Sequence, residues 1–146
     1  MVREPANILR LSDQDLIDVV SGETTVVRLR AGEVLFKNGD PSGGMYVVRS
    51  GSLTIRSGSI VYEDVGPGGM VGEMGIVEPV MPRSAMVYAL TDAEVIEIDP
   101  ERFLALIEEV RGFALAVMHT LSRRLRRMDV RYDAKRDDLI DPDDTG

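Results

Sequence analysis

Glu73 and Arg83 stand ten residues apart on either side of a turn-rich segment, VGEMGIVEPVMPRSAMV, residues 71–87. Gly72 directly precedes the acid, and Ser84 and Ala85 directly follow the base. Arginine presents a planar fork of donors that suits a phosphate, and Ser84 adds a hydroxyl donor. Gly72 has no Cβ, so a ligand can come close to the backbone there. The run Glu73-Met74-Gly75-Ile76-Val77 is long enough for one helical turn, and a helix start offers N–H groups and a positive dipole end to an anion. A carboxylate is out of place at such a site unless it accepts hydrogen bonds from sugar hydroxyls. Phosphate together with sugar hydroxyls describes a nucleotide. Equally open from these residues alone is an ordinary surface ion pair between Glu73 and Arg83, a common contact worth little.

Little else in the chain offers chemistry. There is no cysteine among the 146 residues, hence no disulfide frame and no thiolate. The one histidine, His119, reads as an ordinary helix residue, and one histidine with no cysteine makes no protein-built zinc site. The eight methionines read as gap-fillers. Neither a metal-ligand cluster nor an activated nucleophile is apparent, so an enzyme is not expected. Arg123, Arg124, Arg126, Arg127 and Arg131 alternate with apolar residues and precede an acidic tail, which reads as a solvated helix face. A net charge of −8 argues against a broad nucleic-acid surface. No stretch reaches the roughly 18 apolar residues of a membrane span, and MVREPANILRLSD lacks a signal peptide's apolar core. A soluble, cytoplasmic protein without membrane insertion is expected.

The elements that must position the segment fall into three regions. Ser12 can cap a short helix carrying Leu16, Ile17, Val19 and Val20, which Ser21-Gly22 stops. From about residue 24 to 98 come short runs rich in Val, Ile, Tyr and Thr: TTVVRLR, EVLF, MYVVRS, SLTIR, SIVYEDV, AMVYAL and AEVIEI. Glycine and proline turns such as NGDPSGG and GPGG separate them. Many short strands with glycine turns predict an antiparallel barrel or jelly roll. Asp99-Pro100 opens a helix through Glu109. After Gly112 a longer helix carries an apolar stripe of Leu115, Met118, Leu121, Leu125, Met128 and Tyr132.

The chain resembles the cyclic nucleotide-binding domain family over roughly residues 8 to 130. AGEVLFKNGDPSGGMYVVRSGSLTI looks like the family's first half. GPGGMVGEMGIVEPVMPRSAMVYA looks like its phosphate-binding cassette, with Gly72-Glu73 and Pro82-Arg83-Ser84-Ala85 in the expected slots. The resemblance implies a mainly β fold: an eight-stranded antiparallel β-roll with an N-terminal helix, a short cassette helix and C-terminal helices. It implies that Arg83 holds a cyclic phosphate and Glu73 a ribose 2′-hydroxyl. Gly72, Met74, Gly75, Ser84 and Ala85 would complete the cradle, with no metal required. Serine after the arginine matches the cAMP-binding pattern, with cGMP also possible. Two positions depart from the family: Val71 replaces the usual phenylalanine, and Gly75 stands where alanine is common, which should loosen the turn.

These readings give one cyclic nucleotide-binding domain over residues 1–136, with the roll at about 24–98, helices at about 100–136 and an acidic tail at 137–146. The expected role is a regulatory sensor, monomeric or weakly dimeric, whose C-terminal helix reports occupancy to an effector protein or domain. The alternative is a degenerate, non-binding module, against which the retained Glu73, Arg83 and Ser84 speak.

Overall fold

The structure is a computed structural model and describes residues 11–22 and 25–139. Helix α1 (Asp13–Val20) begins after Ser12, whose Oγ accepts from the Asp15 amide at 3.1 Å. That contact satisfies one of the free donors of the first turn. Leu16, Ile17 and Val20 turn inward from it. Eight strands follow among the described residues: β1 (Thr25–Leu29), β2 (Val34–Phe36), β3 (Met45–Ser50), β4 (Leu53–Ser57), β5 (Ile60–Val65), β6 (Met70–Val71), β7 (Met86–Ala89) and β8 (Ala93–Ile98). A short helix, α2 (Glu73–Val77), lies between β6 and β7, and α3 (Pro100–Glu109) and α4 (Phe113–Leu139) close the described chain.

The strands pair antiparallel in two four-stranded sheets, β1-β8-β3-β6 and β2-β7-β4-β5. The expected β-roll with flanking helices is the observed fold. Seven strands coincide with the apolar runs of the sequence. The eighth, β6, is two residues long and carries no periodicity that could announce it.

Two apolar clusters explain why β3 and β8 read as nearly continuous hydrophobic runs. Val48 and Val95 face inward between the sheets, with Leu53, Val65, Val71 and Val87. Met45, Val47, Ile96 and Ile98 face the other way, under α1, α3 and the start of α4, with Phe103, Leu106 and Phe113. Successive strand residues point to opposite faces, so a strand covered on both sides needs apolar residues throughout. The Asp99 side chain caps α3 by accepting from the Arg102 amide at 2.7 Å, with Pro100 at the first helical position. Gly112 separates α3 from α4 at φ +92°, a conformation open mainly to glycine.

Helix α4 begins at Phe113, which is fully buried and meets Phe103 edge-on at 5.7 Å between ring centroids. Its docked face is not the expected stripe. Leu115, Met118 and Leu125 are 37%, 56% and 61% exposed, and only Leu121 packs on the core. The buried positions are Phe113, Val117 and Thr120, continuing to Arg124, which is 17% exposed. A purely apolar count misses this face because half of it is polar. The helix runs to Leu139. The side chains of Met128 and Tyr132, and residues 140–146 of the expected tail, lie outside the described residues.

Phe113 therefore fastens α4 to the roll. Phe113→Ala should destabilise the protein by about 3–5 kcal/mol, as expected for a fully buried phenylalanine, and equilibrium urea unfolding measures the loss.

Candidate functional site

The cavity at the site is built on Arg83. Its backbone is strapped on both sides to the loop after β2: the Arg83 amide donates to the Asp40 carbonyl at 2.8 Å, and the Gly39 amide donates to the Arg83 carbonyl at 2.8 Å. Asp40 fixes that loop in turn by accepting from the Lys37 amide at 2.9 Å. The strap sends the Arg83 side chain under α2. There Nη2 donates to the Gly44 carbonyl at 2.7 Å and Nη1 to the Gly72 carbonyl at 3.2 Å. The guanidinium lies over the Phe36 ring, 4.3 Å from its centroid, a cation–π contact.

Arg83 is 6% exposed, yet among the described residues no carboxylate lies within ion-pair distance of it, and its Nε has no hydrogen-bond partner. Burial pushes its pKa down, with Tyr46, Glu73 and Asp40 acting in the opposite direction. A guanidinium stays charged in any protein setting, so this is a buried positive charge held by neutral carbonyls.

Glycines make that position possible. A Cβ on Gly75 would lie 2.6 Å from Arg83 Nη1, and one on Gly72 would lie 2.9 Å from it. Gly72 also precedes α2 at φ +80°, in the left-handed region. The glycine at 75 thus does more than loosen a turn: the guanidinium occupies the space its side chain would fill.

Glu73, the first residue of α2, is 3% exposed and pairs with Arg124 of α4, not with Arg83: Nη1 to Oε1 is 2.6 Å. Arg124 also donates through Nε to Glu63 Oε1 at 3.1 Å and through Nη2 to the Met70 carbonyl at 2.6 Å. Glu63, on β5, is 9% exposed and takes further ion pairs from Arg123 at 3.2 Å and Arg127 at 3.1 Å. Burial pulls Arg124 down and the two carboxylates push it up, with a net rise. For Glu63 burial acts upward, and the Arg124 hydrogen bond and the three arginine charges outweigh it, so its carboxyl lies below the ordinary 4.5.

This corrects the reading of the arginine run as a solvated face at Arg124, while Arg123 and Arg127 keep 41% and 47% of their side chains exposed and Arg126 is exposed. Arg123, Arg124 and Arg127 converge on one buried carboxylate, because Glu63 sits at a core-facing strand position and needs countercharge. The one trace in the sequence is that Glu63 stands two residues before the buried Val65, and so on the same strand face.

A cavity of about 420 Å³ lies between these groups. All seven residues expected at the site line it: Gly72, Glu73, Met74, Gly75, Arg83, Ser84 and Ala85. Phe36, Ile55, Glu63, Arg124 and Arg127 also line it and were not expected. One end carries Arg83 and Ser84. The other is walled by Glu63 and the arginines of α4, with Glu73 between them.

A roll of two four-stranded sheets with this inserted helix defines a class, and the comparison with known families agrees. The sequence model of the cyclic nucleotide-binding domain matches residues 26–110, more than half of the chain. The chain belongs to that family. It is 31% identical over 107 residues to the Cyclic AMP receptor protein of Thermus thermophilus, covering 70% of this chain and 49% of that one. It is 27% identical over 124 residues to Pycsar effector protein XpPycTIR of Xanthomonas perforans, covering 85% of this chain and 41% of the relative. The crystal structure of Thermus thermophilus catabolite activator protein superposes with a TM-score of 0.71 at 28% identity, over 82% of this chain and 58% of that one. The chain thus spans about half or less of the length of these curated relatives. Among the described residues no helix is long and apolar enough to cross a membrane, and no group of three or more His, Cys, Asp or Glu could hold a metal ion.

The ion-pair fan on Glu63 carries a pH dependence. A carboxyl depressed below 4.5 in the folded chain contributes stability that is complete above its unfolded pKa and is lost as pH falls through the lower folded value. The stability difference between the parent and Glu63→Gln should therefore be full at pH 7 and shrink steadily below about pH 4.5, as denaturant titrations across that range would record.

Proposed function

We propose that this chain is a cyclic nucleotide sensor, with cAMP the favoured ligand and cGMP the alternative. In this reading Arg83, Ser84 and the glycine-flanked start of α2 take the cyclic phosphate. Glu73 accepts from the ribose 2′-hydroxyl, and Met74, Gly75 and Ala85 line the cradle. The observation that carries the reading is the buried Arg83 guanidinium, propped by two carbonyls and facing a cavity with no carboxylate partner among the described residues. A buried charge without countercharge is costly, and a singly charged phosphate diester brought into the cavity would supply that countercharge and accept the unused donors in a bidentate way. Ser84, and likeness to a relative named for cyclic AMP, support cAMP over cGMP.

The module is read as regulatory and non-catalytic, as one sensor domain acting in the cytoplasm as a monomer or weak homodimer. Support for the regulatory reading comes from the family match. Helix α4 walls the cavity through Arg124 and Arg127. It is therefore the element placed to pass occupancy to an effector protein or domain, and an acidic chain of net charge −8 is not read as a nucleic-acid binder.

Isothermal titration with cAMP and cGMP tests the reading. Arg83→Ala should weaken binding by about 2–5 kcal/mol, the range for losing one partner of a buried charge pair. Arg83→Lys should recover only part of this, because a point charge cannot replace a fork. An Arg83→Ala protein that remains folded and binds cAMP as well as the parent would refute the assignment.

A further inference from the structure

Arg124 is bonded to more acceptors than it needs to stay in place. Its guanidinium holds Glu73 through Nη1, Glu63 through Nε and the Met70 carbonyl through Nη2. Its side chain is 17% exposed, so a guanidinium stripped of all carboxylate contact there would be heavily penalised. Giving up Glu73 alone does not strip it, because Glu63 and the Met70 carbonyl bind the other two nitrogens. Glu63 is itself held by Arg123 and Arg127, so it stays fixed while Arg124 shifts.

Glu73 is meanwhile the carboxylate assigned to the sugar, and its Oε1 accepts from Arg124. A ribose hydroxyl donating to Glu73 therefore shares the carboxylate with Arg124, at Oε1 or at Oε2, or displaces Arg124 from it. We propose that Glu63 is a positioning residue for ligand binding: as the second carboxylate on Arg124, it lowers the penalty of releasing Glu73 to the sugar hydroxyl and keeps α4 docked while the exchange takes place. The inference rests on the nucleotide reading above and extends it to a residue outside the cassette. It also makes Arg124, on α4, the group through which the sugar end of the cavity and the helix influence each other reciprocally.

The test is a double-mutant cycle on the full chain, read by calorimetry with cAMP and with 2′-deoxy-cAMP. Glu63→Gln should weaken cAMP by about 5- to 150-fold, the usual span of coupling between linked sites. The same change should weaken 2′-deoxy-cAMP clearly less, since that ligand asks nothing of Glu73 and feels only the loosened docking of α4. In an Arg124→Gln background the Glu63→Gln effect on cAMP should fall to about twofold or less, because Glu63 acts through Arg124. A purely structural role would lower both ligands equally and persist without Arg124, since Arg123 and Arg127 still need a counterion; that result overturns the proposal. So does a Glu63→Gln protein with unchanged cAMP affinity. Should Glu63→Gln fail to fold, Glu63→Asp keeps the charge and withdraws it by one methylene; it should show a smaller loss with the same dependence on Arg124 and on the 2′-hydroxyl. A parent chain that binds neither ligand overturns the nucleotide reading and this inference with it. A parent that binds both while the cycle shows no coupling overturns this inference alone.

Discussion

A buried guanidinium must be matched by something, and this fold buries two of them around one cavity. Arg124 is matched by carboxylates, Glu63 and Glu73, and by one carbonyl. Arg83 is matched only by the Gly44 and Gly72 carbonyls and by the face of Phe36. Neutral carbonyls satisfy donors without cancelling charge, so Arg83 keeps an unpaired positive charge, whereas the arginines of α4 are engaged by the carboxylates of Glu63 and Glu73. The asymmetry gives the cavity a direction. On the proposed nucleotide reading, the anion would sit at Arg83 and the sugar hydroxyl toward Glu73.

The rest of the structure holds those partners in place. Strands β3 and β8 are covered on both faces, which joins the inter-sheet core to the helical layer in one body. Gly44 directly precedes β3, and a Cβ there would meet the Ile98 carbonyl at 2.6 Å, so the carbonyl that props Arg83 is fixed by close packing of backbone on backbone. Phe113 anchors the start of α4 in the same layer, and Arg124, eleven residues on, reaches the far wall of the cavity. The site is thus composed of a strand end, a short helix, a strapped loop and a distant helix. A shift in any one of them changes a charge contact.

The contacts that hold α4 are distinct from its contact to Glu73. The fan of Arg123, Arg124 and Arg127 on Glu63 fixes the helix to the roll. The Arg124 contact to Glu73 is the one that a sugar hydroxyl would contest. The apolar residues left exposed on the opposite side of the helix, Leu115, Met118 and Leu125, take no part in docking.

Much of this was legible in the chain itself. Short β-branched runs between glycine turns determine the strands, since local propensity and period-two alternation agree there. Gly72-Glu73 and Pro82-Arg83-Ser84-Ala85 mark segments that line the cavity, because their residue types and spacing stand out along the chain. What tertiary structure alone decided is who pairs with whom. Glu73 and Arg83, neighbours by spacing, do not pair; Glu73 takes Arg124, 51 residues away. Residues 123–127 read as solvated because a run of arginines is usually on the surface, and nothing local says that a buried carboxylate on β5 awaits them. The docked face of α4 was not legible for the same reason: apolar periodicity cannot register a polar residue whose partner arrives from a different strand. Partners of buried charges are long-range, and only the assembled roll brings Glu63, Glu73 and Arg124 to one point.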